Sequence, residues 1–172
     1  MSRASHLVRR FFGSLRPGGP SRAEEAWACS HLLDAEVALW NRMSGSDRRH
    51  AAEVGRRLVE HLGGEADRPV VAAALLHDIG KIASGLGTYG RVIATLSAAA
   101  GGHASAYEWS QAGGFTRRVG LYLRHPELGG DMLELAGSDP LTVTWTREHH
   151  LPPEQWSLDP DIATALKAAD DD

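Results

Sequence analysis

Val70-Val71-Ala72-Ala73-Ala74-Leu75-Leu76-His77-Asp78-Ile79-Gly80-Lys81 is the stretch on which the reading of this chain turns. Seven apolar residues in succession leave no polar face, and Pro69 just before them suits a first helical turn. The pattern therefore predicts a helix buried on all sides. Such a helix ending in His-Asp is an odd local choice, because a buried charge needs a counter-charge or a bound cation.

The neighbouring elements also read as helices. Upstream, Val54, Leu58 and Leu62 recur every four residues in a helix from about Asp47 to Leu62. His50 falls on the same row and is expected to point inward. Ser44-Gly45-Ser46 separates this helix from one over 22–43, in which Ala26, Leu33, Val37 and Trp40 lie near one face. Downstream, glycines punctuate residues 82–118, leaving short helical stretches over 91–100 and 104–112, and helix resumes over 115–124. His125-Pro126 restarts a helix that runs to 136. Asp139-Pro140 opens another, which reaches His150 and is stopped by Pro152-Pro153; Asp159-Pro160 opens a last one reaching Asp170. No alternating β-branched run suggests a strand. The expected fold is all-α: a single helical domain over 21–172, with a basic, flexible arm over 1–20.

Composition bounds the function. The chain has 172 residues, 42% of them hydrophobic, and a formal net charge of −4, as in ordinary globular domains. Its single cysteine, Cys29, excludes an internal disulfide and a thiolate metal site, and fits a reducing cytoplasm. Arg3, Arg9, Arg10, Arg16 and Arg22 stand in a stretch without acids, interleaved with Leu7, Val8, Phe11, Phe12 and Leu15. This arm could make weak contact with an anionic membrane or nucleic acid, or it could be a disordered leader closed by Pro17-Gly18-Gly19-Pro20. No stable nucleic-acid partner is expected.

The candidate ligands His50, His77, Asp78, His125, His149, His150 and Asp170 spread over five helical segments. Imidazole and carboxylate together suit divalent iron, manganese or zinc. An ion with open coordination positions lowers the pKa of bound water and yields a hydroxide nucleophile, while a second ion can hold a phosphoryl oxygen. Taken singly, each histidine is as readily a packed core residue or a helix-end cap. His6, His31, His61 and His103 fall outside the pattern, and Trp27, Trp40, Trp109, Trp145 and Trp156 read as core or rim packing.

The order His50, His77-Asp78, His125, His149-His150, Asp170 resembles the HD-domain metal-dependent phosphohydrolase superfamily, over about 47–170. That resemblance implies an HD-type helical bundle around a central metal site. It implies two divalent ions: one held by His50, His77, Asp78 and Asp170, the other by Asp78, His125, His149 and His150, with Asp78 shared. Within the superfamily Asp47-Arg48-Arg49-His50, His77-Asp78-Ile79-Gly80-Lys81, His125-Pro126-Glu127-Leu128-Gly129, His149-His150 and Ala168-Ala169-Asp170 are most similar to HD-GYP phosphodiesterases. The chain departs from that branch after His150, where Leu151-Pro152-Pro153-Glu154-Gln155-Trp156 replaces the Gly-Tyr-Pro turn. It departs also at Ser46, where three-metal members carry a glutamate, and in its Gly-rich insert.

The implied activity is hydrolysis of a phosphomonoester or phosphodiester, with a nucleotide-type small molecule as substrate. Asp78 and Lys81 are the catalytic candidates, and Lys81 and Arg91 the substrate-binding ones; Tyr89, Arg117 and Arg118 could also reach a substrate. Two other classes remain open on the same residues. One is a di-iron oxygenase of HD fold, and the other a non-catalytic HD module that binds a ligand in signalling.

Overall fold

A computed structural model describes residues 18–64, 66–97 and 105–171, apart from the side chains of Thr88 and Tyr89. Residues 1–17, including most of the basic arm and His6, lie outside the described residues, as does His103. Among the described residues there are ten α-helices, two short 3-10 turns and no strand. In chain order they are α1 (Arg22–Ser30), α2 (Asp34–Trp40), α3 (Gly45–His61), α4 (Arg68–Leu76), a 3-10 turn (Ile79–Ala83), α5 (Thr88–Ser97), α6 (Ala106–Gln111), α7 (Gly114–Leu123), α8 (His125–Leu135), α9 (Pro140–Glu148), a second 3-10 turn (Pro153–Gln155) and α10 (Pro160–Asp171). None is long and apolar enough to cross a membrane.

The apolar heptad forms the axis of the molecule. Val70 through Leu76 are each at most 5% exposed, so α4 is buried on all sides. It packs against α3, α9 and α10. Val71, Leu75 and Leu76 join Trp40, Ala51, Leu133 and Val143 on one side. Val70, Ala73 and Ala74 join Val54, Leu58, Trp145 and Leu166 on the other. One short helix therefore feeds two halves of the core. At roughly 1.5–3 kcal/mol per large buried apolar side chain, that burial outweighs its weak capping.

Polar caps fix the helix starts. Ser44 Oγ accepts from Asp47 N at 3.2 Å, Asp139 Oδ1 from Leu141 N at 2.9 Å, and Asp159 Oδ1 from Asp161 N at 3.0 Å. The sequence predicts one helix over 22–43, and the structure has two. The break at His31–Leu33 is held by the Glu36 carboxylate, which reaches back to accept from Leu33 N at 2.8 Å. The expected face is lost with it: Ala26 and Leu33 are exposed, while Ala28, Glu36 and Trp40 are buried.

The Gly-rich stretch folds into a satellite. α5, α6 and α7 surround a small third cluster of Leu86, Ala94 and Val119, with Trp109 and Tyr122 at its edge. Arg118 anchors it to the main body by donating to the Ser84 carbonyl at 3.1 Å and to the Gly85 carbonyl. Trp40 and Trp145 lie in the core, and Trp27, Trp109 and Trp156 are half-buried.

Candidate metal centre

Helix ends build the site. His77 and His149 cap the C-termini of α4 and α9, and His125 follows α7 by one residue and opens α8. The last carbonyls of a helix lack intrahelical partners. Each of these histidines supplies one: His77 Nδ1 to Ala74 O at 2.9 Å, His125 Nδ1 to Tyr122 O at 2.7 Å, His149 Nδ1 to Thr146 O at 2.9 Å. Helix-capping and ligand readings of these histidines are therefore compatible, since the two ring nitrogens do different work.

That repeated bond fixes the tautomer. A carbonyl can only accept, so Nδ1 carries a proton and, in the neutral imidazole, Nε2 is left with a lone pair. All three Nε2 atoms face the same carboxylate. His125 Nε2 lies 3.3 Å and His149 Nε2 3.7 Å from Asp78 Oδ1, and His77 Nε2 is 3.4 Å from Asp78 Oδ2. Nε2 of His77 and of His149 is buried without a hydrogen-bond partner. Lone pairs turned toward a carboxylate repel unless a cation lies among them.

The second half of the cluster closes from α3 and α10. Asp170 Oδ1 is 3.3 Å from His50 Nε2 and 3.6 Å from His77 Nε2. Arg57 of α3 donates Nε–H to the Ala169 carbonyl at 2.8 Å, tying the end of α10 to the helix that carries His50. His150, exposed on its outer side, has Nε2 3.2 Å from His125 Nε2. Ligand atoms of Asp78, His125, His149 and His150 lie close enough together to hold one ion, and so do those of His50, His77 and Asp78. The structure thus brings together all seven sequence-derived ligand candidates.

Electrostatics point the same way. Burial pushes the His125 imidazole down to about 4, with only partial compensation from Asp78, and burial lowers His149 as well, so both are neutral ligands at neutral pH. Burial also opposes protonation of His77, but Asp78 and Asp170 outweigh it and raise the pKa. Positive charge is favoured at that position. Burial would raise Asp78, yet Lys81 first and then His77 and the imidazoles facing it hold it well below the usual carboxylate range.

Lys81 touches Asp78 from the first 3-10 turn and lies 6.0 Å from the Tyr122 ring centroid. Arg91 sits in α5, its guanidinium forked onto Asp47, with Nη2 2.7 Å from Oδ2 and Nε donating to Leu86 O at 3.0 Å. The Tyr89 side chain lies outside the described residues. Arg117 is exposed, and Arg118 is engaged with backbone carbonyls rather than with the cluster. From sequence Asp47 enters only as part of the motif before His50, with no role of its own, and Tyr122 not at all. A signal existed for Asp47, an acid one turn before His50; Tyr122 stands three residues before His125, and its ring lies 5.6 Å from the imidazole.

The sequence profile of the HD domain matches residues 49–171. The chain belongs to the HD-domain family. The HD match begins inside α3, so α1 and α2 precede it, and it takes in every ligand candidate from His50 to Asp170. HD domains form a superfamily of metal-dependent hydrolases, generally phosphohydrolases, that bind divalent metals. No curated protein and no solved structure matches the chain.

A divalent ion supplied to the metal-free protein is expected to raise its melting temperature. At a free concentration a hundred times Kd, binding stabilises by about 2.7 kcal/mol, or roughly 5–10 °C for a chain of this size. Calorimetry with and without a chelator measures it; an unchanged transition in Mn²⁺, Fe²⁺ and Zn²⁺ would leave the facing lone pairs unexplained.

Proposed function

We propose that this HD domain is a metal-dependent phosphohydrolase acting on a small phosphoester, with a nucleotide-type molecule as substrate. One observation carries the reading: three imidazole Nε2 atoms converge on the Asp78 carboxylate at 3.3 to 3.7 Å, and those of His77 and His149 are buried with no hydrogen-bond partner. In this reading His50, His77, Asp78 and Asp170 hold one cation, and Asp78, His125, His149 and His150 hold a second. Bound divalent ions supply an activated water and a Lewis acid for the phosphoryl oxygen. The chain's own residues do the rest. The helix-end carbonyls of Ala74, Tyr122 and Thr146 lock the imidazoles, so nothing reorganises when charge develops. Lys81 places an ammonium beside Asp78, where it can pair with a phosphate oxygen and donate a proton to the leaving oxygen.

The test is metal content of protein purified without added metal, followed by hydrolysis of bis(p-nitrophenyl) phosphate and p-nitrophenyl phosphate with Mn²⁺, Fe²⁺ or Zn²⁺. Turnover dependent on added metal is expected. Stoichiometric iron with a di-iron absorption band and no hydrolysis would favour the oxygenase, and a metal-free, inert protein the binding module. His61, at the far end of α3 from His50, serves as a control: His61→Ala should leave turnover unchanged, and a large loss would show that the active cluster has been drawn around the wrong residues.

A further inference from the structure

The Gly-rich satellite does more than extend the fold. It brings α5 across to the N-terminal turn of α3, where Arg91 grips both oxygens of Asp47, three residues ahead of His50. The pair spans 44 positions of sequence and is largely buried, with the Arg91 side chain a fifth exposed and Asp47 less. This is a held guanidinium rather than a surface ion pair. The Ser44 hydroxyl fixes the other partner by donating to Asp47 Oδ2 at 2.7 Å.

The direction in which the metal cluster opens gives that arrangement a use. His77 and His149 are closed off from solvent, whereas the His50 side chain is a quarter exposed and Lys81 14% exposed. The cluster is therefore open at His150, in the half held by His125 and His149, and again at His50 and Lys81; Asp47 stands one turn before His50, which sets the Arg91 guanidinium beside that second opening. The fields of these groups overlap there: Asp78 and Tyr122 act on Arg91, and Asp47 acts on Lys81. Of the five N–H groups of a guanidinium, Arg91 uses one on Leu86 O and two on Asp47, which leaves two.

We propose that Arg91, positioned by Asp47, is a second phosphate-binding cation beside Lys81 and makes the site select phosphate monoesters over diesters. The inference rests on the phosphohydrolase reading and deepens it. A diester carries one negative charge, which Lys81 alone can meet. A monoester near neutral pH is mostly a dianion with three free oxygens, so it presents charge and acceptors for an additional fork. Asp47 keeps the long arginine side chain in place before substrate arrives, which reduces the ordering that binding would otherwise require. Arg91 thereby distinguishes the substrate classes without touching the candidate metal ligands.

The experiment compares wild-type protein with Arg91→Gln, both loaded with Mn²⁺. It measures kcat/KM for p-nitrophenyl phosphate and for bis(p-nitrophenyl) phosphate, the Kd of inorganic phosphate by titration calorimetry, and bound metal per chain. The monoester-to-diester ratio of kcat/KM should fall roughly ten- to a hundredfold in Arg91→Gln, the usual worth of a charge-assisted hydrogen bond. Phosphate affinity should fall alongside it while metal content holds. Equal losses on both esters, or an unchanged phosphate Kd, would overturn the proposal. A wild-type protein that hydrolyses neither ester would sink the hydrolase reading instead, and the phosphate titration would still decide: Arg91-dependent binding upholds the anion site and Arg91-independent binding removes it. If Arg91→Gln does not fold, Arg91→Lys replaces it. Lysine keeps the charge but cannot hold Asp47 and phosphate in one plane, so a weaker phosphate Kd supports the proposal and an unchanged one overturns it.

Discussion

Asp78→Ala is expected to leave the protein with no bound metal and no phosphoesterase activity, both lost in the same variant. The two oxygens of Asp78 lie between His77 on one side and His125 and His149 on the other, at 3.3 to 3.7 Å, so both halves of the cluster depend on it. Its loss also leaves the largely buried Lys81 without its nearest counter-charge. Breaking a buried pair from one side costs about 3–5 kcal/mol, and the partly exposed Lys81 places this case at or below the lower end. Asp78→Asn separates the two effects. It keeps the shape and one oxygen, so the fold should survive, while the amide brings a donor and no charge to a site that needs an anion. Metal content by mass spectrometry and turnover with Mn²⁺ are the readouts. An Asp78→Asn protein that is folded, metal-loaded and active would remove Asp78 from its shared position.

How much of this could be read from the chain alone follows from the range of the forces involved. Helix starts were legible because caps act within three residues: Ser44, Asp139 and Asp159 each accept from a backbone N–H of the first turn. The break near residue 31 was not, because its cap is Glu36 reaching back to the N–H of Leu33, an apolar residue that gives no capping signal. The buried helix was legible from seven apolar residues; that it divides the core into two clusters was not, since that depends on partners many residues away. For the candidate site, the order of the ligands carried the resemblance. The bond from Nδ1 of His77, His125 and His149 to the carbonyl three residues before each is local and of the helix-end kind; what spacing does not encode is that three helix ends far apart in the chain meet at Asp78. The grip of Arg91 on Asp47 was out of reach for the same reason. It closes a long loop through a Gly-rich stretch whose own pattern suggests only short helices.

Gly80→Ala is expected to have the second large effect, though the substitution adds one methyl group outside the ligand set. A Cβ at position 80 would lie 1.9 Å from the His125 carbonyl oxygen, 2.6 Å from the Gly129 nitrogen and 2.8 Å from the His125 carbonyl carbon. All three are backbone atoms of the first turns of α8, so no side-chain rotation relieves the clash. Gly129 faces back at the same point, its own Cβ position 3.0 Å from Gly80 N and 2.9 Å from Thr146 Cγ2. The 3-10 turn and α8 therefore approach backbone to backbone, and a methyl group forces them apart. Overpacking of this kind costs about 1–3 kcal/mol where the surroundings can yield, and rigid backbone on both sides favours the upper end. A melting temperature lower by roughly 4–12 °C is expected. Because His125 is the first residue of α8, the displacement also carries its Nε2 away from Asp78, so metal affinity should fall even in protein that remains folded. Ile79→Val, one position earlier in the same buried turn, is the comparison. It removes a methyl group, costs about 0.5–1.5 kcal/mol, and leaves α8 where it is, so its metal affinity should match wild type. Equal metal affinity in Gly80→Ala and Ile79→Val would mean that α8 does not rest on the glycine, and that the position of His125 is set by something other than the contact seen here.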